Sequence, residues 1–244
     1  MKKRLDILLF ERRLVDSRAK AQALIMAGLV LVNGKKETKV GSKFDEDAGI
    51  EVLETQKYVS RGAGKLEKAT RIFRIDFRDK VVCDVGSSTG GFTDFVLQHG
   101  ARKVYAIDVG TGQLHWKLRN DPRIIVMEKT DFRKIENLPE KIDIFVVDVS
   151  FVSVRKILES IKYKVSSIKQ GAEIVLLFKP QFEAGKVIAD RFKGVIKDPR
   201  IHERLLSEFR KWCEENGFKM LEETESPIKG AKGNTEFLFL LKII

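Results

Sequence analysis

The chain has 244 residues, enough for one large domain or two modest ones with a real core in either case. Hydrophobic residues make up 43%, and no stretch approaches the ~20 apolar residues of a membrane helix, which excludes a disordered chain and a helical membrane protein. The formal net charge of +11 favours a polyanionic partner, because each neutralised phosphate releases condensed counterions. The basic start Met1-Lys2-Lys3-Arg4 runs into Leu5-Asp6-Ile7-Leu8-Leu9-Phe10-Glu11-Arg12, too short and too charged for a signal segment, so a cytoplasmic protein is expected.

The first segment reads as helix, helix, hairpin. Leu5, Leu8 and Leu9 share one helical stripe, and Val15-Asp16 breaks it. Ser17 is placed to cap a second helix over Arg18–Met26, and Gly28 to stop it in the left-handed conformation. Leu29-Val30-Leu31-Val32 then runs into Asn33-Gly34, a strong short hairpin signal, with further short strands expected at Val40-Gly41 and Gly49–Leu53. Residues 1–36 hold nine Lys or Arg against three acids, +6 of the total charge. The series Arg4-Leu5-Asp6, Ser17-Arg18, Gly28-Leu29-Val30-Leu31-Val32-Asn33-Gly34 resembles the small RNA-binding domain named after the fourth small-subunit ribosomal protein. By that resemblance Arg4, Arg12, Arg13, Arg18, Lys20 and Lys35 meet RNA phosphates.

Residues 54–60 lack sustained periodicity. The expected boundaries are 1–55 for a small α+β domain, 56–60 for a linker and 61–244 for a larger α/β domain. In the latter, apolar runs at Val81–Val85, Val104–Ile107, Ile124–Met127, Ile142–Val147 and Ile174–Phe178 read as buried parallel strands. Phe218–Leu221 and Phe237–Ile243 are expected to close the sheet as an antiparallel pair. Helical patterns at Phe92–Gln98, Val154–Ile161 and His202–Asn216 complete a doubly wound, Rossmann-like fold with a seven-stranded, mostly parallel sheet. Cys83 and Cys213 have no CxxC neighbours and read as small buried hydrophobes; His99, His115 and His202 are scattered, so no metal centre is expected.

The loop Asp84-Val85-Gly86-Ser87-Ser88-Thr89-Gly90-Gly91, opening a helix at Phe92, follows the first strand of the sheet. Glycines there let the backbone approach a ligand and aim amides at it. Ser88 stands where a dinucleotide fingerprint needs its middle glycine, and the Lys-Ser or Lys-Thr ending of a phosphate loop is missing. An acidic strand end with a looser glycine loop suits S-adenosylmethionine, whose amino-acid tail offers an ammonium to Asp84. Asp108, ending the next strand, can accept hydrogen bonds from ribose hydroxyls. Asp131 either meets the adenine amino group or caps the turn that starts at Phe132.

Four charged residues complete the pattern. Asp148 and Lys179 end two apolar strands at the edge where open α/β sheets bind ligands. Lys65 lies in Ser60-Arg61-Gly62-Ala63-Gly64-Lys65-Leu66 at the entrance to a helix, and Glu236 opens the last strand. Surface salt bridges would account for the charges but not for a lysine on an apolar strand followed by Pro180. With Asp148-Val149-Ser150-Phe151, Lys179-Pro180-Gln181-Phe182-Glu183 and Gly233-Asn234-Thr235-Glu236, these blocks resemble the TlyA (hemolysin A) family of ribosomal RNA 2′-O-methyltransferases over essentially the whole chain. The larger domain is also similar to FtsJ-type heat-shock methyltransferases, which share a Lys-Asp-Lys-Glu tetrad. The resemblance implies S-adenosylmethionine-dependent methylation of a ribose 2′-hydroxyl of cytidine in ribosomal RNA or a ribosomal subunit, with Lys65, Asp148, Lys179 and Glu236 catalytic and no obligate protein partner. One departure is Gly64, where a bulkier residue is expected; a glycine there would loosen the loop of Lys65. Lys186, Arg191, Lys193, Lys197 and Arg200 suggest an RNA-facing loop over Gln181–Arg200, and Phe182 is read either as a base-stacking ring or as a core aromatic.

The competing reading is a non-catalytic ribosome-binding or assembly factor that retains the fold, against which stands the retention of every chemical group. A pore-forming hemolysin finds no support in a membrane helix or a strong amphipathic pattern.

Overall fold

The computed structural model describes residues 2–53, 57–164, 168–185 and 192–244, the side chain of Ala231 excepted. The chain divides into two compact units, Met1–Lys57 and Tyr58–Ile244. Residues 54–56, which include the first residue of the expected linker, and Lys186 and Arg191 of the expected RNA-facing loop, lie outside the described residues.

The small unit runs β1 (Lys2–Arg4), α1 (Leu5–Glu11), α2 (Arg18–Met26), β2 (Val30–Val32), β3 (Lys35–Glu37), β4 (Lys43–Asp45) and β5 (Ile50–Val52). Leu5, Leu8 and Leu9 are buried as the stripe requires, and Ser17 Oγ accepts the amide of Lys20 as the cap of α2. Gly28 is left-handed, and Asn33 and Gly34 both have positive φ in the β2–β3 hairpin, the geometry this dipeptide favours. The expected strand at Val40-Gly41 is instead a turn; the strand begins later, at Lys43, and pairs with β1. β2 forms the centre of a three-stranded sheet with β3 and β5.

The large unit runs α3 (Ala63–Phe73), β6 (Val81–Val85), α4 (Gly91–Gln98), β7 (Lys103–Ile107), α5 (Trp116–Arg119), β8 (Ile124–Met127), β9 (Ile142–Val147), α6 (Val154–Tyr163), β10 (Ile168–Phe178), α7 (Pro180–Glu183), α8 (Pro199–Glu215), β11 (Phe218–Glu225) and β12 (Phe237–Ile243). One seven-stranded sheet orders them β11-β12-β10-β9-β6-β7-β8. Its first five strands are parallel in Rossmann order; β12 inserts antiparallel between β10 and β11. Alternate residues of each strand enter opposite layers. Cys83, Val85, Phe145, Val147, Leu176 and Phe178 pack with α6 and α8, while Val82, Ile144, Val146, Val175 and Leu177 pack with α3 and α4. Burial on both faces is why these strands read as unbroken apolar runs. Both cysteines are free and buried, and burial pushes the Cys213 thiol up to about 12, so neither is a reactive thiolate.

Candidate active site

The carboxyl edge of the sheet brings four distant residues into one chain of contacts. Lys179 follows the last residue of β10, and Asp148 follows β9; these strands are neighbours. Lys179 Nζ lies 2.6 Å from Asp148 Oδ1 and donates to Ser150 Oγ at 2.9 Å. Lys65 Nζ stands 3.7 Å from the other oxygen of Asp148 and donates to Glu236 Oε2 at 2.7 Å. The order is therefore Glu236, Lys65, Asp148, Lys179. Exposure ranges only from 3% at Glu236 to 22% at Asp148. Two ammonium groups balance two carboxylates, so none is buried without a partner of opposite sign.

Each member is held by a secondary element. Lys65 lies on the first turn of α3, not in a loop. A Cβ on Gly64 would come within 3.2 Å of Ile228 Cδ1, so the space a bulkier residue would take is already filled by isoleucine. Pro180 occupies the first turn of α7, which locks the backbone just after Lys179. Glu183, at the end of α7, accepts Val154 N and Ser153 Oγ, tying that wall to α6. Glu236 precedes β12, and its carbonyl accepts the amide of Ser226.

Two adjoining cavities meet at this set. The first, about 540 Å³, is bordered by Arg61, Lys65, Lys179, Gln181, Lys229 and Glu236, together with Ser87, Thr89, Gly91 and Phe92 of the glycine loop. The second, about 460 Å³, is bordered by Asp108, Val109, Gln113, Asp131, Phe132 and Arg133. Gly86, Ser88, Asp148, Ser150 and Phe151 belong to both. Gly86 has φ +87, and a Cβ there would lie 2.6 Å from the Asp148 carbonyl oxygen, so only glycine lets the ends of β6 and β9 approach this closely.

Asp84 is fully buried and accepts Thr93 Oγ1 at 2.6 Å; its Oδ1 has no partner among the described residues. Burial pushes its carboxyl up to about 7; the Thr93 hydrogen bond opposes this, and the charges of Asp148 and Asp108 add to it. Asp84 borders neither cavity directly, whereas Asp108 does, with its two oxygens accepting the amides of Ser88 and Gly110. Both readings of Asp131 meet in one residue: it caps the turn at Phe132–Lys134 and also borders the second cavity. The Arg133 guanidinium beside it holds its carboxyl below the usual range. Gly90 lies behind the loop, against Leu114 and Leu118.

Phe182 is half-buried on the wall of the first cavity, 5.2 Å from the ring of Phe151, and is not a core residue. Phe151 is 91% exposed with φ +65. Sequence reasoning quoted Ser150, Gln181 and Arg61 inside motifs without giving them places in the site. The signal was present for two of them, since Ser150 and Gln181 each stand two residues past a tetrad member.

In the small unit the six expected RNA-contacting residues separate into two groups. Arg4 and Arg18 both pair with Asp6, which is fully buried. Burial opposes ionisation of Asp6, but hydrogen bonds from Arg4, Gln22 and Arg18 outweigh it and hold the carboxyl well below the usual range. Arg12 donates to the carbonyls of Ala48 and Glu46, and Lys20 pairs with Asp16. Arg13 and Lys35 are exposed and make no ion pair with the described residues.

A Rossmann-like sheet with a glycine loop and carboxylates on its carboxyl edge, and a mutually paired Lys-Asp-Lys-Glu set beside them, has the make-up of a methyltransferase. The chain belongs to the FtsJ-like methyltransferase family, whose model matches residues 58–243, and an S4 domain model matches residues 3–50. Hemolysin A of Brachyspira hyodysenteriae is 43% identical, covering 96% of this chain and 98% of that protein. The 16S/23S rRNA (cytidine-2′-O)-methyltransferase TlyA of Mycobacterium tuberculosis is 37% identical over 98% of this chain and 89% of its own length. A solved structure from Streptococcus thermophilus, provisionally described as a hemolysin, superposes with a TM-score of 0.73 at 39% identity, covering 99% of this chain and 88% of that one. Among the described residues no helix is long and apolar enough to cross a membrane.

Proposed function

We propose that this methyltransferase acts on a ribose 2′-hydroxyl of cytidine in ribosomal RNA, in the cytoplasm, with S-adenosylmethionine as methyl donor. The observation that carries the reading is the Glu236–Lys65–Asp148–Lys179 chain at the junction of two cavities. The names of the relatives agree with it.

The residues fit the donor. Asp84 Oδ1 is a buried carboxylate oxygen without a partner, suited to an ammonium, and three carboxylates on the second cavity suit a cationic ligand. Asp84 would hold the amino-acid tail, while Asp108 and Asp131 would hold the ribose and base, with Gly86, Ser87, Ser88, Thr89, Gly90, Gly91 and Phe92 forming the loop between. When bound, S-adenosylmethionine supplies a methyl group already activated on a sulfonium.

The acceptor ribose then occupies the first cavity. Lys179 holds the 2′-oxygen, Asp148 fixes Lys179 from one side and Ser150 from the other, and Glu236 fixes Lys65 against the far oxygen of Asp148. The hydroxyl loses its proton toward the Asp148–Lys179 pair as the oxygen attacks. Because the sulfonium would need no further activation, the contribution of these residues would be to position the acceptor hydroxyl, which supplies much of the acceleration. We assign residues 1–55 as the RNA-binding domain, with Arg13 and Lys35 contacting phosphate and Arg4, Arg12, Arg18 and Lys20 presenting their outer faces to it.

The test is methyl transfer from labelled S-adenosylmethionine to unmodified small and large ribosomal subunits, each assayed separately, followed by mapping of the modified ribose. Wild-type protein should label one or both, and Lys179→Ala should lower turnover by about 10²-fold or more while RNA affinity stays within a factor of two or three. No transfer by wild-type protein that binds both ligands would favour the assembly-factor reading instead.

A further inference from the structure

Among the polar side chains of the first cavity that this mechanism leaves idle, Gln181 is buried and unpartnered. Gln181 is 9% exposed, borders the cavity next to Lys179, and its amide makes no hydrogen bond with the described residues. Its Oε1 is fully buried and unpartnered. An amide oxygen left in that state costs about 1–3 kcal/mol, which a leucine of similar volume would avoid. The residue stands on the first turn of α7, immediately after Pro180, so its backbone is fixed relative to Lys179. Its terminal torsion is broad, and no hydrogen bond resists rotation, so either polar atom can be turned toward the cavity.

A primary amide places one acceptor beside one donor. The complementary partner carries an amino group next to a ring acceptor, as the Watson–Crick edge of cytosine does. Such edges are available when a base is displaced from its stack, the state in which single-stranded RNA is read. We propose that Gln181 is a specificity residue of the acceptor site, with Oε1 accepting from the exocyclic amine of the displaced cytosine and Nε2 donating to its ring nitrogen N3. This rests on the ribose-methyltransferase reading above. Lys179 then holds the sugar and Gln181 the base, two residues apart on one rigid segment.

Gln181→Leu removes the amide and the buried orphan together. The variant should unfold at the same temperature as wild type or a higher one, bind S-adenosylmethionine equally well, and lose at least tenfold in kcat/KM on ribosomal subunits. Subunits reconstituted with an abasic nucleotide at the mapped position supply the second arm. There wild type should fall to the level of Gln181→Leu, and the variant should change little. A variant as active as wild type on the natural subunit would overturn the assignment. So would a tenfold deficit persisting on the abasic substrate, which would move the contact to the sugar, or a loss of cofactor affinity, which would move it to the donor. Failure of wild type to methylate either subunit would instead remove the ribose-methyltransferase reading and this inference with it.

Discussion

Asp84→Asn separates the cost of burying the Asp84 carboxylate from the cofactor role proposed for it. Asp84 is fully buried and its carboxyl is carried from 3.8 to about 7 by burial, with Thr93 opposing and Asp148 and Asp108 adding. In the unfolded chain the same group titrates near its ordinary value. Between those two points the folded protein therefore holds a proton that the unfolded chain has lost, so stability falls as pH rises through this window and levels off above about 7. At about 1.4 kcal/mol per pH unit the displacement sets a ceiling of about 4 kcal/mol on what ionised Asp84 costs the ligand-free protein. Asparagine keeps the shape and can still pair with Thr93, yet carries no charge.

Urea unfolding of wild type and Asp84→Asn at several pH values between 5 and 8, without ligand, isolates this group, because other titrations are common to both proteins. The variant should gain on wild type as pH rises, by as much as a few kcal/mol at pH 8, and the advantage should shrink toward pH 5. Calorimetric titration with S-adenosylmethionine should show the reverse ranking. With Asp84 carried up to about 7, wild type should bind more tightly as pH rises through that value and release a proton on binding, whereas the variant should bind weakly at every pH. Parallel stability curves for the two proteins would refute the buried-carboxylate argument, and equal cofactor affinity would remove Asp84 from the donor site.

Gly86→Ala puts a Cβ 2.6 Å from the Asp148 carbonyl oxygen at a φ of +87, so it should destabilise by about 1–3 kcal/mol and abolish methyl transfer by moving Asp148; a wild-type melting temperature and turnover would contradict this. Arg13→Ala with Lys35→Ala should lower the slope of log affinity against log salt for ribosomal RNA by about 2 while leaving cofactor binding unchanged. Arg4→Ala or Arg18→Ala should in addition lower the melting temperature of the small unit, since each strips a donor from the buried Asp6; equal thermal behaviour of the two pairs would place Arg4 and Arg18 with the purely surface residues.

The large sheet was legible because its strands are covered on both faces and read as apolar runs bounded by Asp84, Asp108, Asp148 and Lys179. β1 and β4 were not, for a physical reason. Lys2-Lys3-Arg4 is wholly polar and Lys43-Phe44-Asp45 carries a single apolar residue, and the two pair across some forty residues, so the pattern is too short and no local turn announces them. α5 and α7 span four residues each, too few for a helical period to show. In the site, residue types with strand-end positions pointed to Asp148, Lys179 and Glu236, and a helix-entrance position to Lys65, but not to their order. That order depends on β12 inserting beside β10 and on α3 lying over both, which joins Lys65 to a carboxylate 171 residues away. The mixed fate of the N-terminal arginines has the same origin. Asp6 reads as an ordinary first-turn acid on α1 until α2 folds over it and supplies Arg18 and Gln22.

The two cavities differ in the sign of their walls, and Asp148 stands on the boundary. The second presents Asp108, Asp131 and Asp148 against Arg133 alone. The first presents Arg61, Lys65, Lys179 and Lys229 against Asp148 and Glu236. On the proposed function, a donor bearing a sulfonium and an ammonium is thus favoured on one side, and a ribose flanked by phosphates on the other, before any specific hydrogen bond forms. The internal pairs of the tetrad keep this separation from becoming costly. Lys179 is buried and Lys65 largely shielded, each beside its own counter-charge, so the positive excess of the first cavity resides on Arg61 and on Lys229, which pairs with Glu225 at the rim where water still reaches both. On the proposed function, such an arrangement sorts donor from acceptor by charge, while the quartet itself, two ammonium groups against two carboxylates, stays near neutrality.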